Sequence, residues 1–405
     1  MKFLHTSDWH LGRTLYGKRR LEDFTAFLTW LKNCIDEENI TLLLIAGDVF
    51  DTTTPSNSAQ KLYYQFLCDV AQSKCEHIVI IGGNHDSPSF LNAPKQLLSA
   101  INVHVIGAAS DNIDDEIIIA TKDGMPQALV CAVPYLRDKD IRKIEAGESA
   151  ETKQKKLVAG IENHYQEVRV KALEKRDALH PSLPIIGMGH LFTTGGKVQE
   201  DDGVRDLYVG NLAKIHASTI AEDFHYLALG HLHVPQRVDG KETIRYCGSP
   251  IPMGFGEAQQ TKKIIIGEFN TSGELSLTDK DIPSFQKLAQ ISGSLEEILT
   301  AISNYALQEI SLWLEVRYTG KTAIHDLRAK IEDACIGTQI EVLRIHNTFI
   351  RHHVLQSLES EEKLDDLSPK EVFTRCLVSH EKDDAEELLH NFSEILTSVL
   401  EKDHE

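Results

Sequence analysis

Short apolar runs recur through the first 230 residues, and each stops at a polar cluster. Residues 2–5, 41–46, 77–81, 185–188 and 226–229 are brief and β-rich. Several are continuously apolar, the pattern expected of strands buried on both faces. Stretches with helical spacing lie between them. Residues 56–72 form one; in residues 152–179, Leu157, Ile161, Tyr165, Val168 and Ala172 recur on one face and predict a core-facing stripe. Further β-rich runs at 103–133 and 243–281, broken by Gly, Asn and Asp, predict two facing sheets with helices outside them. The expected fold is α/β (α+β), a four-layer αββα sandwich over residues 1–281.

A different rhythm begins near Pro283. A helix over 294–306, a strand over 311–317, a helix over 323–334 and a strand over 341–346 predict a small αβ cap domain, residues 282–347, with Gly320 and Gly337 as breaks. Gly320-Lys321-Thr322 resembles the end of a phosphate loop, but Glu315 stands where the earlier glycine is required, so the segment reads as a turn. Residues 348–367 read as a linker. Residues 368–405 read as a helical tail, opened by Ser368-Pro369-Lys370-Glu371 with serine as N-cap and proline at the first helical position. Its stripe of Leu388, Leu389, Phe392, Ile395, Leu396, Val399 and Leu400 suits packing on the chain's own domain or docking on a partner.

The chemistry sits where the five runs stop. Asp8-Trp9-His10, Gly47-Asp48-Val49-Phe50-Asp51, Gly83-Asn84-His85-Asp86, Gly189-His190 and Gly230-His231-Leu232-His233 offer carboxylate, imidazole and amide oxygen donors. That mixture suits Mn²⁺, Fe²⁺ or Zn²⁺ better than Ca²⁺ or Mg²⁺ alone. In an extended segment residues i and i+2 point the same way, so Asp8 with His10, and His231 with His233, are expected to grip an ion from the pleat of a strand. Ligands at the carboxyl ends of such strands converge on one rim. Asp48, in the middle of the series, is placed to bridge two ions about 3.5–4 Å apart.

The order Asp-x-His, Gly-Asp-x-x-Asp, Gly-Asn-His-Asp, Gly-His, Gly-His-x-His resembles that of the calcineurin-like metallophosphoesterases. The fuller strings from Thr6 to Arg13, Gly47 to Asp51 and Gly82 to Ser87 resemble one branch, the nuclease subunits of bacterial SbcC-SbcD complexes. The resemblance implies that Asp8, His10, Asp48 and His233 hold one metal ion and that Asp48, Asn84, His190 and His231 hold the other. It implies Mn²⁺ as the ion, with Mg²⁺ or Fe²⁺ as alternatives, and His85 as the residue that contacts the scissile phosphate and helps the leaving oxygen depart. It further implies DNA as substrate, an SbcC-type ATPase partner, and a homodimer within a heterotetramer. The activity implied is ATP-dependent 3′–5′ double-strand exonuclease action, with single-strand endonuclease action that opens hairpins and protein-blocked ends. By the same resemblance the tail stripe docks on the partner's coiled coil and the cap faces DNA. Asp51 departs from archaeal and eukaryotic relatives, which often carry histidine there. Two other readings stand beside this one: a phosphoesterase for a nucleotide or other phosphodiester, and a scaffold that has lost catalysis. The scaffold reading fits poorly, since no ligand is missing.

Composition changes the picture at one point. The net charge of −19 argues against DNA binding by bulk electrostatics, because such affinity comes from Lys and Arg on phosphate. Residues 351–405 hold 15 of the acids against 6 bases, so nearly half of the excess lies in the tail. Arg13, Lys18, Arg19 and Arg20 follow the first motif and are expected to face DNA; further clusters lie at 137–143 and 153–156. No run approaches the 18 apolar residues of a membrane helix and no signal core precedes Asp8, so a cytoplasmic protein is expected. Seven scattered cysteines indicate neither disulfides nor a thiolate zinc site.

Overall fold

The computed structural model describes residues 1–141, 148–196 and 215–348, and beyond these Ser368, Lys370, Phe373, Thr374, Leu389 and Phe392. The expected docking residues Leu388, Ile395, Leu396, Val399 and Leu400 lie outside the described residues. The chain divides into two units, Met1–Gln286 and Lys287–Glu405.

The first unit holds two six-stranded sheets. One runs, in spatial order, Leu275–Asp281, Lys263–Phe269, Lys2–Thr6, Leu42–Ala46, His77–Ile81 and Val103–Ile106. The other runs Gln236–Val238, Lys241–Tyr246, Tyr226–Gly230, Ile185–His190, Met125–Ala132 and Ile117–Lys122. The central strands of each pair in parallel. Their continuous apolar runs follow from burial on both sides: Leu42, Leu44 and Ala46 join the layer between the sheets, while Leu43 and Ile45 face the helices Leu21–Glu37 and Asn57–Ala71. On the far side of the second sheet, Ile161, Tyr165, Val168 and Ala172 of the helix Ala150–Leu179 pack over Leu129, Ile185 and Leu227. The four layers are therefore helix, sheet, sheet, helix.

The second unit contains a three-stranded parallel sheet, Lys287–Gly293, Leu312–Tyr318 and Ile340–Asn347, with the helices Leu295–Ala306 and Leu327–Cys335. Its first strand is absent from the sequence reading, which has αβαβ where the structure has βαβαβ. Lys287 and Gln290 interrupt the apolar pattern of that strand, and only Leu288, Ala289 and Ile291 are buried. The second helix starts at Leu327 rather than 323, after Asp326 in left-handed backbone. Gly320-Lys321-Thr322 lies between elements, without a following helix N-terminus.

Candidate metal centre

The five polar clusters meet where Lys2–Thr6, Leu42–Ala46 and His77–Ile81 of one sheet, and Ile185–His190 and Tyr226–Gly230 of the other, reach their carboxyl ends. The pleat does not align the donors as the sequence suggested. Thr6, Ala46 and Gly230 are the last residues of their strands, and Asp8, His10, Asp48 and His231 sit beyond them at φ of +53°, +48°, +48° and +103°. For residues with a Cβ such backbone costs on the order of 1–3 kcal/mol each, and it persists where the surroundings over-determine it. Here they do. Asp8 N donates to Gly47 O at 3.0 Å, His10 N to Asp48 O at 2.9 Å and Leu11 N to Val49 O at 2.9 Å, so two kinked loops run side by side and turn their donors inward. Gly47, itself at φ +86°, leaves no room for a Cβ against the His190 ring, and a Cβ on Gly83 would strike Asp48.

Asp86 ties the third loop to the second. Its buried carboxylate accepts from Val49 N at 3.1 Å, Phe50 N at 2.9 Å and Gly83 N at 2.9 Å. Burial and then the nearby Asp48 push its carboxyl up to about 6. The sequence reading gave this residue no role, although an acid after Gly-Asn-His is well placed to satisfy loop amides.

The donor geometry tests whether cations fit. His190 Nδ1 lies 2.9 Å from Ala46 O, which can only accept, so Nδ1 carries the ring proton. The lone pair of Nε2 then faces two more acceptors, Asn84 Oδ1 at 3.0 Å and Asp48 Oδ2 at 3.3 Å. A second proton or a cation relieves that arrangement. Burial opposes the proton, but the Asp48 charge and its hydrogen bond raise the ring's pKa to about 9. A cation would take the place of that proton. His231 Nδ1 points at the same Asn84 oxygen from 2.9 Å, and burial, reinforced by His190, holds its pKa down to about 3, leaving it a neutral donor.

On the other side, His10 Nε2 and His233 Nε2 lie 3.1 Å apart, with His10 Nε2 also 3.6 Å from Asp48 Oδ2. The Asp8 carboxylate accepts from His231 N at 2.9 Å and from the Ser7 hydroxyl. Asp8, His10 and His233 have donor atoms within 4.8 Å of one another, and so do Asp8, Asp48 and His190. Asp48 sits between the two sets: Oδ1 accepts from His85 N at 2.8 Å and Oδ2 faces His190 and His10. Burial works against its charge, yet the His190, His10 and His85 rings hold its carboxyl well below the usual carboxylate range. The set fits a divalent pair.

His85 stands beside these donors. Its ring crosses that of His10 at 4.8 Å and 88°, and its Nδ1 donates to Asp51 O at 2.8 Å. The Asp51 side chain faces His10 Nδ1 at 3.4 Å and Arg13 Nη1 at 3.2 Å.

The basic residues after the first motif separate. Arg13 is half-buried on Asp51, while Lys18 is half-buried and Arg19 exposed on a ladder that pairs Thr14–Leu15 with Lys18–Arg19. Arg20 differs from expectation: it is 3% exposed, donating from Nε to Asp23 at 2.9 Å and from Nη1 to Pro252 O, so it braces the loop from inside. Lys153, Lys155 and Lys156 pair with Asp138, Glu151 and Glu148. In the tail, the Phe392 ring stacks on Phe373 with centroids 4.0 Å apart.

Two family models match separate parts of the chain. A family model described as calcineurin-like phosphoesterase matches residues 1–235, and one described as type 5 capsule protein repressor C-terminal domain matches residues 284–381. The chain is 34% identical over 409 residues to the SbcD subunit of the nuclease SbcCD from Escherichia coli, covering all of both chains. It is 30% identical to the SbcD protein of Rhodobacter capsulatus, over 76% of this chain and 77% of that one. For the SbcD protein of Bacillus subtilis the figure is 28%, over 81% and 82%.

Proposed function

The chain belongs to the SbcD family of calcineurin-like phosphoesterases, and from that premise we propose that it is the nuclease subunit of an SbcC-SbcD-type complex, cutting DNA phosphodiesters with a pair of Mn²⁺ ions. The observation that carries the reading is the His190 Nε2 lone pair facing the acceptors Asn84 Oδ1 and Asp48 Oδ2.

Asp8, His10 and His233 would hold one ion, Asn84, His190 and His231 the other, and Asp48 would serve both. When bound, such a pair supplies Lewis-acid polarisation of the scissile phosphate and acidifies water. The protein's share is placement and proton handling. His85 donates its Nδ1 proton to Asp51 O, which fixes the ring and turns Nε2 to the departing 3′-oxygen; the ring would act there as imidazolium, giving up its Nε2 proton to that oxygen and returning to the neutral form. Asp86 holds the second and third loops together, so the bridging acid and the histidine keep their spacing.

Lys18 and Arg19, which follow the first motif in the chain, are the candidate phosphate contacts. The net charge of −19 makes a partner that supplies further basic surface part of the reading. That partner would be an SbcC-type ATPase, gripped by the tail stripe that includes Leu389 and Phe392, and the working assembly a heterotetramer built on a homodimer. Its actions would be ATP-dependent 3′–5′ exonuclease cutting of duplex ends and endonuclease opening of hairpins, in the cytoplasm. Among the described residues, no helix is long and apolar enough to cross a membrane. Cleavage of linear duplex and hairpin DNA with Mn²⁺, with and without the ATPase partner and ATP, tests the proposal. Hydrolysis confined to nucleotide phosphodiesters would contradict it.

A further inference from the structure

Behind His233, on the side away from the other donors, lies a buried acid and base that the family motifs do not include. The short helical turn Phe255–Glu257 follows the strand Lys241–Tyr246 and the loop through Ser249 and Met253. It carries Glu257, 0% exposed, under the centre. Oxygen Oε2 of Glu257 accepts from Met253 N at 3.1 Å, Ser249 Oγ at 3.3 Å and the ammonium of Lys262. Lys262, 4% exposed, also donates to His233 O at 3.1 Å and Ser249 Oγ at 3.0 Å. Oxygen Oε1 has no hydrogen-bond partner and lies 3.6 Å from His233 Nδ1.

Such an arrangement is costly without a purpose. A buried carboxylate oxygen left without a donor loses its hydration for nothing, and the buried ammonium beside it adds a second desolvation cost. His233 presents Nε2 to His10 and the centre, so its Nδ1 is the nitrogen turned away from the ion site. A ring whose Nε2 lone pair is given to a cation must carry its proton on Nδ1, and that N–H needs an acceptor. Glu257 Oε1 is the acid within reach. His10 and His190 have counterparts, since Asp51 Oδ1 faces His10 Nδ1 and Ala46 O accepts from His190 Nδ1. Asp51, however, is 24% exposed and shared with Arg13, whereas Glu257 is sealed and held by an internal lysine.

We propose that Glu257, held by Lys262, is the positioning residue for His233: it accepts the Nδ1 proton, fixes the tautomer that leaves Nε2 as the donor, and thereby sets the affinity of one of the two ion sites. The inference rests on the metal-centre reading given above. Lys262 neutralises the acid and, by gripping His233 O, ties ring and acid to one frame.

The test uses the full chain and Mn²⁺ itself. Free Mn²⁺ is followed by electron paramagnetic resonance during titration of the wild type and of Glu257→Gln/Lys262→Met, which removes both buried charges together. The expected result is that one of two binding steps weakens about 10- to 100-fold while the other keeps its affinity. A role in packing alone would weaken both steps equally or neither, and either result overturns the proposal. In the Zn²⁺-loaded wild type, a downfield imidazole N–H resonance assigned to His233 Nδ1 is expected; its absence overturns the proposal whether or not the variant folds. If the wild type binds fewer than two ions, the metal-centre reading itself fails, and the brace with it.

Discussion

His10 and His233, 223 residues apart, meet nitrogen to nitrogen, their Nε2 atoms separated by 3.1 Å with both rings buried. Two lone pairs cannot be held so close without a proton or a cation between them, and the neighbouring acids Asp8 and Asp48 favour positive charge there.

His85→Gln should lose most cleavage, by about 10²- to 10⁴-fold, because a proton-handling group is removed while the donors around Asp48 stay in place. Metal analysis of the purified variant should return the wild-type ion content. Loss of both ions would reassign His85 as a ligand.

Lys18→Ala and Arg19→Ala should each weaken duplex binding and reduce the slope of affinity against salt by about one, with little change in melting temperature. Arg20→Ala should instead lower stability by about 3–5 kcal/mol, because it strands the buried Asp23 carboxylate. Salt-dependent binding curves and thermal melts separate the two behaviours. An Arg20→Ala protein as stable as the wild type would contradict the burial argument.

Acid should destabilise the fold through a histidine pair far from the centre along its strands. Thr121 N donates to His77 Nε2 at 3.0 Å, so His77 Nδ1 carries the proton and donates to His104 Nε2 at 3.2 Å. Burial, then His77 and Lys95, hold His104 down to about 4, and burial lowers His77 against the pull of Glu76. The unfolded chain protonates these rings near their ordinary value of about 6.5, before the folded one does, so stability present above that pH is lost as pH falls through about 4. His104→Gln keeps an acceptor for His77 and should flatten the fall in melting temperature between neutral pH and about 4. An unchanged slope would remove the pair from the account.

Truncation after Asp366 should leave metal-dependent endonuclease activity and abolish co-purification with the SbcC-type ATPase, along with ATP-stimulated attack on duplex ends. Burial of several apolar side chains at about 1.5–3 kcal/mol each is enough for useful affinity after ordering costs. A truncated chain that still assembles would sink the docking idea.

Much of this was legible in the sequence because buried parallel strands announce themselves: residues 42–46 are apolar without a break, and the donors follow directly. What was not legible depends on backbone and on distance. The expected reason for the pairing of Asp8 with His10, and of His231 with His233, was the strand pleat, whereas left-handed turns beyond the strand ends do the aligning. Nothing in a string of letters separates Arg20, folded inward on Asp23, from its exposed neighbour Arg19. Glu257 and Lys262 lie 24 and 29 residues past His233 and outside any motif, so only the fold brings them behind that ring. The first strand of the second unit escaped because its polar interruptions weaken the pattern, although a parallel neighbour buries its apolar face.

The bridging role of Asp48 is the centre of the account, and anomalous scattering at the manganese edge from Mn²⁺-grown crystals tests it most directly. The wild type should show two peaks about 3.5–4 Å apart, one reached by Asp8, His10 and His233 and the other by Asn84, His190 and His231, with Asp48 between them. Asp48→Asn should reduce both peaks and abolish hydrolysis, while Asp51→Asn should keep at least one. Two fully occupied peaks in Asp48→Asn, or a single ion in the wild type, would contradict it.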